Sequence, residues 1–144
     1  IDVSGNFHVV TDTFDIHCYE QDPEKFAEYY KEADGLYVNF PDRQKYDGTP
    51  YWVSEYGGIK MPGDDAGWGY GNTPKNREEF LSRYKGLTDV LLDNPKCWAL
   101  CYTQLYDVEQ EVNGLYFYDR TDKFTPEEKK FLREVMARKA AVEK

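Results

Sequence analysis

Apolar residues along this chain alternate between two rhythms. Short runs rich in β-branched and aromatic residues are separated by stretches whose apolar positions fall three and four apart. Residues 13–19 form the first clear short run and read as a strand. Asp22-Pro23 then supplies an N-cap and a first-turn proline for a helix whose apolar face is Phe26, Tyr29, Tyr30 and Ala33, and Gly35 stops it. Residues 50–55 read as the next strand and run straight into Gly57-Gly58. Thr73-Pro74 is expected to open a second helix with a stripe of Phe80, Tyr84, Leu87, Leu91 and Leu92, closed by Asn94-Pro95. Cys97–Thr103 is apolar almost throughout, the pattern of a strand buried on both faces, which would place Cys97 and Cys101 together in the core. Thr125-Pro126-Glu127-Glu128 resembles a capping box, and the helix behind it carries Phe131, Leu132, Val135 and Met136 on one side. Residues 1–3, bounded by Ser4-Gly5, read as the end of a further strand.

Strands alternating with helices are the signature of β/α units on a parallel sheet. The expected count is about four strands and three helices in a single partial domain spanning 1–144. Two long loops, 59–72 and 104–120, each follow a strand's C-terminal end. Parallel sheets and barrels carry their functional loops there.

Composition narrows the function classes. Hydrophobic residues make up 40% of the chain, enough for a packed core. The aromatic share is 17%, which either fills that core or lines a carbohydrate site, where ring faces stack on sugar C–H faces. A net charge of −9 with no Lys/Arg cluster argues against a nucleic-acid surface. No apolar run approaches the roughly 18–20 residues that span a bilayer, so no membrane partner is expected. Three cysteines and two histidines lack zinc-ligand spacing, the odd cysteine count suits reduced thiols, and neither metal nor cofactor is implied.

Glu55 is the residue that stands out. A carboxylate on an apolar strand is costly unless it is used or satisfied, and at the strand's end it would face the mouth of the sheet. Glycines directly behind it leave room for a sharp turn and for a ligand. A structural carboxylate that caps a turn or pairs with an arginine is the alternative. The run P-Y-W-V-S-E-Y-G-G (50–58) resembles the nucleophile strand of glycoside hydrolase family 2, the β-galactosidases and β-glucuronidases. D-I-H-C-Y-E-Q-D-P (15–23), R-Y-K-G-L-T-D-V-L-L-D-N-P (83–95) and C-Y-T-Q-L-Y-D-V-E-Q-E-V-N-G-L-Y-F-Y-D-R (101–120) are similar to other parts of that family, in the family's order.

The resemblance implies an α/β fold, the C-terminal half of a (β/α)8 TIM barrel, about strands 5–8 with helices 6–8. It implies that Glu55 is the nucleophile of a retaining glycosidase, and that Tyr19 hydrogen-bonds it, with a core tyrosine as the alternative. His17 is then placed near a sugar hydroxyl or in a structural role, and Tyr102 where many relatives have a tryptophan floor to the sugar site. Trp68, within G-W-G-Y-G, is a candidate stacking residue on a mobile loop, and Met61 stands where relatives carry a sugar-facing ring. Gln104, Asp107 and Glu109 either bind hydroxyls or form a solvated acidic loop.

Retention needs a second carboxyl group about 5–5.5 Å from the nucleophile. The family's acid/base belongs to an Asn-Glu pair on an earlier strand, and no Asn-Glu occurs in this sequence. The expected partners are therefore a β-glycoside carbohydrate, the N-terminal half of the same barrel and, through exposed sheet edges, other copies of the chain. The chain by itself is expected to be nearly inactive. Glu111-Val112-Asn113 supplies no cation where β-glucuronidases carry an Asn-x-Lys pair, which favours a β-galactosidase-like substrate. A non-catalytic carbohydrate-binding or interaction domain is the competing reading.

Overall fold

The computed structural model describes residues 7–63 and 66–144; the expected strand at 1–3 lies outside them. One parallel sheet holds β1 (Phe14–Cys18), β2 (Tyr51–Gly57) and β3 (Cys97–Thr103), in that spatial order. Helix α1 (Pro23–Glu32) links the first two strands, α2 (Arg77–Leu92) links the second pair, and α3 (Pro126–Met136) follows β3. This is an α/β arc of consecutive strand–helix units, the architecture of part of a (β/α)8 barrel.

Each helix begins where a side chain can satisfy its open N–H groups. Asp22 caps α1 by accepting the Glu24 N–H at 2.9 Å. Thr125 and Glu128 form a reciprocal capping box on α3, with Thr125 N–H donating to Glu128 Oε2 at 2.8 Å. Helix α2 starts later than Thr73-Pro74 suggests. Asn76 is its cap, accepting the Glu79 N–H at 2.8 Å, and Pro74 is buried ahead of the helix.

The helices cover one face of the sheet. Phe26 and Tyr30 of α1, and Phe80, Tyr84, Leu87 and Leu91 of α2, pack with Phe14, Ile16, Tyr51, Val53 and Tyr56 in a continuous core. Leu132 and Val135 extend that core from α3, whereas Met136 is largely outside it. β3 departs from the expectation of burial on both faces. Cys97 and Tyr102 are buried, but Trp98, Ala99 and Cys101 are exposed, so Cys101 does not share the core with Cys97. Burial on both faces needs a layer on each, and helices supply only one.

β2 also breaks the alternation of a regular strand. Val53 pairs with Ile16 and with Leu100, and its next partners in register are His17 for Glu55 and Tyr102 for Tyr56. One extra residue on β2 therefore faces each neighbour, as in a β-bulge. Both Val53 and Tyr56 can then point at the helices, while Ser54 and Glu55 between them turn to the opposite face.

Candidate active site

Strand ends on the helix-free face converge on Glu55. Tyr19, one residue beyond β1, donates its hydroxyl hydrogen to Glu55 Oε2. His17 Nδ1 lies 3.4 Å from the same oxygen. Both contacts fall on Oε2, which leaves Oε1 as the oxygen facing away from them. Glu55 remains accessible, with 38% of its side chain exposed, so the carboxylate is held without being sealed off. Burial, and after it the neighbouring Glu55 carboxylate, pushes the Tyr19 phenol far above its ordinary range. Tyr19 is therefore a proton-bearing donor at every ordinary pH.

Beneath this group the same face is knitted by polar contacts. Ser54 donates to Asp15 Oδ2 at 2.7 Å, and His8 Nε2 pairs with the other oxygen of that buried carboxylate. Asn39 accepts the His17 N–H at 2.9 Å and donates to the His17 carbonyl at 2.7 Å. These two bonds fix the backbone that aims His17. His17 Nε2 is shielded from solvent and has no hydrogen-bond partner among the described residues.

Glycines shape the exit from β2. Gly57 has φ +82°, and a Cβ there would sit 2.3 Å from the Tyr102 ring. Tyr102 is consequently under the turn rather than in the mouth. It is 8% exposed, packs against Tyr56 and Tyr84, and spends its hydroxyl accepting the Ile59 N–H at 3.2 Å. That takes Tyr102 away from the Glu55 face, because its register partner Tyr56 faces the helices. Met61 is likewise largely buried and packs in the core.

The loop behind Glu55 is tied down. Trp68 N–H donates to the Gln110 carbonyl at 2.7 Å, and Val112 N–H donates to the Trp68 carbonyl at 2.9 Å, joining the loops after β2 and β3. Trp68 is 47% exposed and lies edge-on to Tyr70 at 5.5 Å. Tyr70 stacks on Tyr19, its ring 3.4 Å away and 7° from parallel. The sequence reading did not single out Tyr70; its place in a Gly-rich aromatic loop was the available signal. Trp68 was expected on a mobile loop, and its backbone anchors show a fastened one.

The loop after β3 uses most of its polar groups internally. Gln104 donates to Asn113 Oδ1 at 2.8 Å, and Asn113, fully buried, donates to Glu111 Oε1 at 2.9 Å. Asp107 is neither solvated nor open to a ligand. Lys123 Nζ meets it at 2.6 Å in a buried pair, and the Gly114 N–H donates to the same carboxylate oxygen at 2.9 Å. Glu109 is exposed, with φ +51° in a turn. The structure thus gathers Glu55, Tyr19 and His17, sets Trp68 beside them through Tyr70, and keeps Tyr102 and Asp107 apart.

Solved structures with this arrangement of strands and helices include bacterial β-glucuronidases. The likeness is one of fold. The Bifidobacterium dentium enzyme, solved with coumarin-3-O-glucuronide, matches with a TM-score of 0.59 and 18% identity over 88% of this chain and 20% of its own. The Bacteroides uniformis enzyme matches with a TM-score of 0.53 and 19% identity, covering 78% of this chain and 14% of its own. The Ruminococcus gnavus enzyme matches with a TM-score of 0.56 and 13% identity, covering 88% of this chain and 22% of its own. The chain therefore spans about a fifth of the length of these enzymes. No protein-family model matches the chain, and no curated protein sequence matches it.

Proposed function

We propose that the chain is the C-terminal part of the catalytic barrel of a retaining β-glycosidase, with Glu55 as the nucleophile. What supports this most directly is the convergence of Tyr19 and His17 on one oxygen of a carboxylate at the C-terminal ends of parallel strands. Such a carboxylate is oriented by its partners and open on its other oxygen. In the proposed reaction Glu55 Oε1 attacks the anomeric carbon while the bond to the leaving oxygen breaks. That oxygen takes its proton from a carboxylic acid supplied outside this chain, since the family's Asn-Glu is absent here. Water, deprotonated by the same acid/base, then displaces Glu55 and restores the free carboxylate.

General acid help is worth about 10²–10⁴-fold, so the chain without the rest of the barrel turns over alkyl glycosides hardly at all. The substrate is a neutral, β-galactosidase-like glycoside in this reading. At the rim Glu111 accepts from Asn113, and Lys123, which donates to the Val112 carbonyl, is buried against Asp107. A uronate carboxylate would meet the Glu111 carboxylate there. The chain's partners are a β-glycoside, the complementary barrel half and, in its absence, further copies of the chain.

An activated 2-deoxy-2-fluoro-β-galactoside tests the reading in the longer protein that supplies the complementary half. Mass spectrometry is expected to find the covalent adduct on the peptide bearing Glu55, and Glu55→Gln is expected to abolish both adduct and turnover. Sugar binding without any adduct would instead identify a non-catalytic carbohydrate-binding domain.

A further inference from the structure

The nucleophile's hydrogen-bond donor is poorly held by its own strand. Tyr19 lies one residue past the end of β1, beyond the last register pair of that strand, Cys18 with Tyr56. Its hydroxyl nonetheless meets Glu55 Oε2, so its ring is fixed from beyond its own strand. The contact on its face is Tyr70, with centroids 3.4 Å apart and planes 7° from parallel. Full-face stacking is not the arrangement two free phenol rings prefer, so Tyr70 has to be held there by its surroundings.

Those surroundings are explicit. Tyr70 N–H donates to the Gly58 carbonyl at 2.9 Å, and the ring lies so close over Gly58 that a Cβ there would come within 2.3 Å of it. Trp68 braces the ring edge-on, 83° from its plane. Trp68 is in turn zipped to 110–112, and Gly67 allows that approach because a Cβ would lie 2.2 Å from the Gln110 carbonyl oxygen. A continuous line of contacts runs from the loop after β3 through Trp68, Tyr70 and Tyr19 to Glu55.

We propose that Tyr70 is a positioning residue for the Glu55 site, holding the Tyr19 hydroxyl on the nucleophile by stacking on its ring. This rests on the reading of Glu55 as nucleophile. Tyr70 touches no reacting atom in this scheme; it acts through Tyr19, on whose ring it lies face to face.

The test is a double-mutant cycle in the complete enzyme, with kcat and KM measured separately on an aryl β-galactoside. A hydrogen bond to a charged group contributes enough that losing its alignment lowers kcat about tenfold. Tyr70→Ala is expected to lower kcat by about that factor with KM nearly unchanged, Tyr70→Phe to restore it, and Tyr70→Ala to cost nothing further in a Tyr19→Phe background. Full additivity with Tyr19→Phe, an effect confined to KM, or wild-type kcat in Tyr70→Ala would overturn the proposal. If thermal melting shows Tyr70→Ala to be unfolded, Tyr70→Leu fills the space without a flat ring and carries the same cycle and the same expectations. Glu55→Gln separates the two levels. Retained turnover in that variant removes the nucleophile reading and this inference with it, whereas an inactive Glu55→Gln alongside an additive cycle removes only the role of Tyr70.

Discussion

Glu55 owes its direction to a single extra residue. In a strand without the bulge, Glu55 would share the side of Val53 and point its carboxylate into the helices. The insertion sends it to the opposite face, and the glycine turn keeps it there. Gly57 is the residue on which this depends, since its φ of +82° and the Tyr102 ring 2.3 Å from a would-be Cβ both exclude a side chain. Gly57→Ala is expected to cost at least about 1–3 kcal/mol from backbone strain, before the clash is relieved. The measurement is the urea midpoint, together with kcat, which should fall as Glu55 shifts; an unchanged midpoint would contradict it. Glu55 stood out as candidate chemistry from its residue type at a strand's end, whereas Tyr19 and His17 were named only through the family resemblance. The sequence did not show which side Tyr102 faces, because that depends on the register with the adjoining bulged strand β2, and no local pattern announces a bulge. Asp107 was misplaced because its partner, Lys123, comes from sixteen residues further on.

Between the elements, the join of α2 to α3 is electrostatic as well as apolar. Arg77 donates from Nε to Glu128 Oε1 at 2.7 Å and from Nη2 to the Lys123 carbonyl at 2.8 Å, and its second fork hydrogen bond closes on Glu128 Oε2. The Arg77 guanidinium holds the Glu128 carboxyl below the ordinary glutamate range. A carboxylate whose pKa is lower folded than unfolded stabilises the fold above its unfolded value and loses that stabilisation as pH falls through the folded one. Wild type should therefore be more stable than Glu128→Gln at neutral pH, and the gap should narrow as pH drops below about 4.3. Thermal melts across pH 7 to 3 read this directly; a gap independent of pH would show that the ion pair contributes nothing. The helices themselves were plain in the sequence, because caps and 3.6-residue stripes are local. The start of α2 was not, since Thr73-Pro74 and Asn76-Arg77-Glu78-Glu79 both carry N-terminal signals, and only the Asn76 hydrogen bond decides between them.

For the molecule as a whole, the two edges of the sheet differ among the described residues. At β1 the Asn39 side chain occupies the His17 backbone groups and blunts pairing. At β3 the outer edge lies beside Trp98, 66% exposed, and Leu105, 60% exposed. An edge of this kind invites another strand. Light scattering of the chain by itself is expected to show dimers or larger species, and addition of the complementary barrel half should dissolve them into a one-to-one complex. A clean monomer at working concentration would refute the expectation.

By itself the sequence determined the alternation of strands and helices, their caps and apolar faces, and the candidate carboxylate at a strand's end. These are set by period, turn chemistry and the cost of burying charge, all of which act over a few residues. Only the tertiary structure decided which way Glu55, Tyr102 and Cys101 face, that the Trp68 loop is fastened, and that Tyr70 lies on Tyr19. Those outcomes depend on the register between strands and on contacts between loops far apart in the chain, where no local rule fixes which partner a residue will meet.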